Sequence, residues 1–276
     1  EVAILEVGLG GRFDATNVIE KPAVAVIMPI SLDHQAYLGK THAAIASNKA
    51  GVMKAGVPLI YATDREDVAE VFEKRGQELV CPSYRLGRDF GYQDRGVYFD
   101  FFYQDKCIKG IRLEMPGQHQ KANASLALMT MQSLETQYPA LSKEIILSAL
   151  SRSCWLGRTE FIRPNLMIDG AHNNESVQVL VDLLRTDYAD KDVHILFAAI
   201  EGKPVTTMLD MLNQFASLTV TSFDFPKALQ LEAYPNPYAK VSSWQDWLEM
   251  VSLDEQKLYL VTGSLYFISE IRQTLV

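Results

Sequence analysis

The chain has 276 residues and a mass of 31.0 kDa, with 48% hydrophobic and 22% charged residues. These are the proportions of a folded globular protein of one large domain or two ordinary ones. A net charge of −8 argues against a broad nucleic-acid footprint, which needs a basic face, but a few local cations can still hold an anionic substrate. No apolar run is long enough to span a membrane and no signal-peptide pattern opens the chain. Cys81, Cys107 and Cys154 are odd in number, far apart and without CxxC spacing. That pattern points to reduced thiols in a cytoplasmic protein rather than to disulfides or a zinc site.

The apolar run Val2-Ala3-Ile4-Leu5, stopped by Gly8-Leu9-Gly10-Gly11, reads as a buried strand of a parallel sheet. Ala23 to Met28 reads as a second, ending at Pro29 and the turn Ser31-Leu32-Asp33-His34. Thr41 to Lys54 is helical in character, Pro58 to Tyr61 a short strand, and Asp64 a candidate cap for a helix running to about Arg75. From Leu79 to Met115 aromatic alternation (Tyr92, Tyr98, Phe99, Phe101, Tyr103) around the turns Asp94-Arg95-Gly96 and Gln104-Asp105 predicts antiparallel hairpins whose rings pack a core. Gln118 to Glu135 and Leu141 to Ser153 read as helices, and a domain boundary is expected at Cys154/Trp155. Beyond it come strands in the Phe161 region and at Leu166–Asp169, His194–Ala199, Leu218–Ser222 and Lys257–Val261. They alternate with helices at Glu175–Arg185, Val205–Phe215, Trp244–Val251 and Leu265–Thr274. Such alternation implies a parallel, Rossmann-like sheet.

Several residues stand where chemistry is done in α/β proteins, outside the carboxyl ends of strands. Glu6 ends the first expected strand; on this stretch alone it reads as a surface acid at a loop entrance, though its place also suits a magnesium ligand beside a nucleotide. His34 follows the second strand on what would be the same sheet edge. Asp169-Gly170-Ala171-His172-Asn173 makes a strand–turn–helix with an acid at the strand end. Gly117-Gln118-His119-Gln120 with Asn123 opens a helix, and helix starts favour anions. Ser264 reads as an N-cap of the last helix, Lys49 as a solvated helical lysine, and Arg158 as a boundary arginine. A phosphate-cradling P-loop, G-x-x-x-x-G-K-[ST], is absent. Gly39-Lys40-Thr41 would need glycine where His34 stands, and Gly202-Lys203 is followed by Pro204.

Six stretches in order carry a family resemblance. They are EVGLGGRFDATN (Glu6 to Asn17), SLDHQAYLG (Ser31 to Gly39), IASNKAGV (Ile45 to Val52), PGQHQKANASLAL (Pro116 to Leu128), LGRTEFI with MIDGAHNNES (Leu156 to Ile162, Met167 to Ser176), and VTGSLYFISEIR (Val261 to Arg272). Together they resemble the folylpolyglutamate synthase and dihydrofolate synthase family, within the Mur ligase superfamily of ATP-dependent amide-forming enzymes. The resemblance implies the C-terminal part of a P-loop-type Mur ligase central ATPase domain (1–154) followed by a Rossmann-like glutamate-ligase domain (155–276). The P-loop would lie upstream, so the chain is expected to be a truncated form that binds Mg-ATP weakly and is inactive alone.

The same resemblance implies the site. Glu6, His34 and Lys49 would hold two magnesium ions, Lys49 as a carbamate, although the family's Glu before this lysine is replaced by Asn48. His119, Gln120, Asn123, Arg158 and Asp169 would lie at the nucleotide, with Arg158 reaching the γ-phosphate. His172 and Ser264 would serve the incoming L-glutamate, so that Lys49, Arg158 and His172 form the catalytic group. The implied reaction is ATP-dependent addition of L-glutamate to a reduced folate or folylpolyglutamate by a cytoplasmic monomer, through an acyl phosphate, with dihydropteroate an open second substrate. The alternatives are another Mur-type amide ligase, such as a peptidoglycan or cyanophycin enzyme, or a non-catalytic module that lost its P-loop.

Overall fold

The computed structural model describes residues 2–276, which divide into two compact units. The first runs to Glu114 and resumes at His119–Arg152; the second comprises Met115–Gln118 and Ser153–Val276.

In the first unit, β1 (Ala25–Ile27), β2 (Leu59–Tyr61) and β3 (Ser83–Arg85) form a parallel sheet in that order. The connections carry α1 (Gln35–Leu38), α2 (His42–Lys49), a 3-10 turn at Ala50–Val52, and α3 (Glu66–Leu79). Ala25, Ile27, Leu59 and Tyr61 pack with Ala46 of α2 and with Val68 and Phe72 of α3. The cap position of α3 is Arg65, not Asp64 as the sequence reading expected. Its first turn carries Glu66 and Asp67 instead, acids that favour the positive end of the helix dipole.

An antiparallel meander follows: β4 (Phe90–Arg95), β5 (Tyr98–Tyr103) and β6 (Lys106–Arg112). Phe90, Phe99 and Phe101 point into a core shared with Ala124, Leu126 and Met129 of α4 (Gln118–Leu134). Alternate residues of β5, Tyr98 and Phe102, face outward, as period two requires. The short helix α5 (Lys143–Leu150) closes the unit, and its Ile146, Leu147 and Leu150 pack against the same core.

One expectation fails. Residues 2–7 form no strand, and Val2, Ile4 and Leu5 are exposed. A strand exists by pairing its N–H and C=O groups with a neighbour, and no described strand pairs with this segment: β1 is the sheet's edge and bonds only to β2. Glu6 therefore does not end a strand, and it shares no sheet edge with His34.

The second unit is a six-stranded sheet of order β11-β10-β9-β12-β8-β7. In chain order it contains β7 (Glu160–Arg163), β8 (Leu166–Ile168), α6 (Asn174–Asp187), β9 (Asp192–Phe197), α7 (Val205–Leu212), β10 (Ser217–Val220), β11 (Ala239–Lys240), α8 (Trp244–Glu249), β12 (Lys257–Thr262) and α9 (Leu265–Leu275). All strand pairs are parallel except β7 with β8. One face buries Met167, Ile195, Phe197 and Leu260 against α6 and α7, while the other buries Ile168, Leu196, Ala198 and Val261 against α8 and α9. Covering both faces is why β8, β9 and β12 read as apolar runs rather than alternating ones. Each fully buried aliphatic or aromatic side chain contributes about 1.5–3 kcal/mol.

Candidate functional site

In the first unit the glycine loop lies against the end of α2. Arg12 N–H donates to Asn48 O at 3.0 Å, and the Asn17 carboxamide donates to Gly51 O at 3.1 Å and Arg12 O at 3.2 Å. Close approach demands glycine at 51: a Cβ there would stand 2.6 Å from Arg12 Cβ and 2.7 Å from Arg12 N. Asp14 organises the loop from its other side. Its carboxylate accepts from Leu9 N at 3.0 Å, Thr16 N at 2.9 Å and Thr16 Oγ1 at 2.6 Å.

These bonds, that from the Thr16 hydroxyl first, hold the Asp14 carboxyl at about 2, below the ordinary range near ~4. A depressed carboxyl stabilises the fold above its unfolded value, and that contribution is lost as pH falls through the folded one. The loop over residues 8–17 is expected to loosen between about pH 4 and pH 2. Amide exchange of Leu9 and Thr16 checks this, and Asp14→Asn should flatten the acid dependence. Exchange rates that stay level across that range would show that the carboxylate does not hold the loop.

Lys49 closes α2, and burial pushes its ammonium below the ordinary lysine range. Its neighbour Asn48 donates its carboxamide to Leu38 O at 3.0 Å and Ala44 O at 3.4 Å, two bonds that a glutamate could not make. His34 sits in the left-handed region (φ 52) at the start of α1, with an exposed ring and its N–H bonded to Asp33 Oδ1 at 2.8 Å. Glu6 is exposed in an irregular segment. On α4, Gln120 is buried and its Oε1 accepts from Asn123 Nδ2 at 3.2 Å, while His119 is half-buried on the first turn. Among the described residues no group of three or more His, Cys, Asp or Glu side chains comes together as a metal-holding cluster. Magnesium commonly takes one or two protein groups beside phosphate oxygens and water. The lack of such a cluster does not count against an ion that arrives with a nucleotide and takes most of its ligands from phosphate and water.

In the second unit the candidate residues gather at the carboxyl ends of β8 and β12. Asp169 follows β8 and is 7% exposed. Its Oδ2 accepts from Thr159 N and its Oδ1 from Ala171 N, both at 2.9 Å. Burial pushes its carboxyl up, opposed by those two N–H bonds and by the nearby Arg158 and His172. The turn after it is equally constrained. His172 Nδ1 lies 2.8 Å from Gly170 O; a carbonyl only accepts, so Nδ1 carries a proton, and in the neutral ring Nε2 is the acceptor. Asn173 and Ser176 form a reciprocal capping box that starts α6.

Across the turn, Gly263 N–H donates to Ala171 O at 3.0 Å. Gly263 has φ +110, and a Cβ there would lie 2.5 Å from Ala198 O. Ser264 is buried and caps α9, its Oγ accepting from Tyr266 N at 3.2 Å, so its cap reading holds in the structure. The structure thus places Asp169 between the turns that carry Arg158 and His172, bonded to Thr159 N on one side and Ala171 N on the other, with Ser264 just past the end of the adjoining strand.

Two participants escaped the sequence reading. Thr159 is buried at φ 45, and its Oγ1 has no hydrogen-bond partner among the described residues. Nothing in the sequence marks it, since a β-branched residue is the least expected in the left-handed region; such strain gathers at functional sites. Glu160 accepts from Gly157 N at 2.7 Å and is held by Arg272 Nε at 2.9 Å. That pairing fixes the Gly157–Arg158 turn against α9, and only the fold brings residues 112 apart together.

Residues 1–131 match the Mur ligase middle domain, so the parallel sheet, its meander and all but the last residues of α4 fall within the central domain of a Mur ligase. The chain is 34% identical over 291 aligned positions to the dihydrofolate synthase/folylpolyglutamate synthase of Bacillus subtilis (strain 168), covering 100% of this chain and 67% of that protein. It belongs to the folylpolyglutamate synthase/dihydrofolate synthase family, whose members are ATP-dependent ligases. Among solved structures it resembles Mycobacterium tuberculosis folylpolyglutamate synthase complexed with ADP, with a TM-score of 0.86 and 26% identity over 98% of this chain and 66% of that one. An FPGS–AMPPCP–folate complex gives a TM-score of 0.81 and 30% identity over 99% of this chain and 65% of that one. The chain thus spans about two thirds of the length of these relatives. Among the described residues no helix is long and apolar enough to cross a membrane.

Proposed function

We propose that this chain is the larger part of a monomeric, cytoplasmic ligase that uses ATP to join L-glutamate to a reduced folate or folylpolyglutamate. Residues 1–154 contribute a partial ATPase domain and residues 155–276 the glutamate-ligase domain. The observation that carries this reading is the buried Asp169 carboxylate at the carboxyl end of β8, which accepts from Thr159 N and Ala171 N and so anchors the turns that bear Arg158 and His172. The acid fixes the two turns that present a guanidinium and an imidazole. The three cysteines are free, in keeping with a reducing compartment.

In the proposed reaction a folate carboxylate attacks the γ-phosphorus of ATP and ADP leaves, giving an acyl phosphate. The amine of glutamate then attacks the acyl carbon, and phosphate departs with the former carboxylate oxygen. Arg158 stabilises charge on the transferring phosphoryl group. His172 Nε2 accepts a hydrogen bond or a proton from the glutamate ammonium, which must become neutral to attack. Asp169 keeps the Arg158 and His172 turns in register, beside the ribose and magnesium surroundings. Ser264 lies at the glutamate subsite, and His119, Gln120 and Asn123 lie at the nucleotide.

Glu6, His34 and Lys49 would hold magnesium brought with the nucleotide, which supplies neutralisation of phosphate charge. Lys49 supports this in its chemistry: burial raises its neutral fraction, and the neutral amine is the form that combines with carbon dioxide to give a carbamate. Catalysis is then positioning and electrostatics without a covalent enzyme intermediate.

The test is folate- and glutamate-dependent ADP release by a protein joining a P-loop segment to these 276 residues. Arg158→Ala should lower kcat by about a hundredfold or more, and His172→Ala should raise KM for glutamate as well. Variants that change neither would remove both residues from the reaction.

A further inference from the structure

A groove of about 450 Å³ lies in the first unit, its lining including Arg12, Gly51, Val71, Lys74, Arg75 and the acid Glu78. Its volume is within the ~300–1,000 Å³ of small-molecule sites. Arg75 is paired to Glu78 at 2.9 Å. Arg12 and Lys74 have no acidic partner within 4.0 Å among the described residues. The groove therefore carries two uncompensated cations on a chain whose net charge is −8. Arg12 is held in place by its own backbone, bonded to Asn48 O at 3.0 Å and packed on Gly51.

The kind of anion follows from the lining. The groove faces the last turn of α2 and the second half of α3, so it offers no fan of free helix N–H groups, the feature that favours compact phosphate. What its lining offers is the side chains of Arg12, Lys74 and Arg75 beside Ala50, Gly51 and Val71. Spaced carboxylates on an aliphatic backbone match that arrangement. We propose that this groove binds the acidic γ-glutamyl tail of the substrate, an oligocarboxylate whose charges pair with Arg12, Lys74 and Arg75. This rests on the ligase reading above and extends it: glutamates already added are held here while the growing end reacts elsewhere.

The test titrates the chain with free tetra-γ-L-glutamate and, separately, with L-glutamate, following amide shifts. The tetramer should bind with shifts centred on residues 12, 47–51 and 71–75, weaken as salt is raised, and bind more tightly than the monomer. Lys74→Glu, at an exposed helical position, should keep the native circular dichroism and loosen the tetramer about tenfold or more. Arg12→Gln should act in the same direction. Equal affinity for Lys74→Glu and the parent, equal affinity for monomer and tetramer, or displacement of the tetramer by inorganic phosphate at equal concentration would each overturn the assignment. The probe carries no pteroyl group and no ATP is present, so a negative result strikes the groove alone. The ligase reading stands or falls on ADP release.

Discussion

Asp169→Ala should destabilise the second unit by about 3 kcal/mol, because two buried N–H donors lose their acceptor at about 1–3 kcal/mol each. The donors are Thr159 N and Ala171 N, each 2.9 Å from the carboxylate. At about 2–4 °C per kcal/mol for a domain of this size class, calorimetry should show a fall of about 6–12 °C. Asp169→Asn should cost less, since the amide oxygen still satisfies one of the two. The pH dependence has a definite sign. Burial raises this carboxyl in the folded state, so the folded chain binds the proton more readily than the unfolded one. Its contribution then weakens as pH rises from about 4 through the raised value, and the alanine variant should lack that slope. A melting temperature within a degree or so of the parent would mean that the two turns are held by something else.

The second large effect is expected at Gly51→Ala in the first unit. The new methyl would meet Arg12 Cβ at 2.6 Å and Arg12 N at 2.7 Å. Backbone and Cβ positions cannot rotate away, so the loop itself must move off α2. That breaks the Arg12 N to Asn48 O and Asn17 Nδ2 to Gly51 O bonds, and overpacking of this kind costs about 1–3 kcal/mol before the lost bonds are counted. Amide exchange over residues 8–17 should quicken about a hundredfold, the equivalent of about 2.7 kcal/mol. Gly56→Ala is the control. Its Cβ meets nothing within 4 Å at φ +71, so only the left-handed backbone penalty of about 1–2 kcal/mol applies. If both substitutions disturbed the loop equally, contact with Arg12 would not be the cause.

The second unit was legible in the sequence because its signals are local. Lys257–Thr262 and Asp192–Phe197 are apolar runs of strand length, and Ser264 and Asn173 stand where caps belong. The aromatic meander was legible for the same reason, since the turns at Asp94–Gly96 and Gln104–Asp105 punctuate a period-two pattern. What was not legible depends on partners. Val2 to Leu5 has strand composition, yet strand composition cannot supply the neighbour that a ladder needs. The short edge strands Ser83–Arg85 and Ala239–Lys240 have too little pattern to stand out. Thr159 adopts a backbone conformation that its side chain disfavours, and the Glu160–Arg272 pair joins two ends of the unit. The functional motifs themselves were readable, but not what their side chains do locally. Asp169 spends both oxygens on backbone N–H groups, and the Asn48 carboxamide bonds two carbonyls of its own helical region.

The most direct measurement of the central claim is ADP release with Mg-ATP, L-glutamate and a reduced folate. It would be made on the 276 residues alone and on the same residues joined to a P-loop segment. The 276 residues contain no G-x-x-x-x-G-K-[ST] pattern, so alone they should bind Mg-ATP weakly and release little ADP. The joined protein should release ADP only when folate and glutamate are both present, with one glutamate added per ADP. Release that ignores folate, or that needs a different acid or amine, would contradict the assignment.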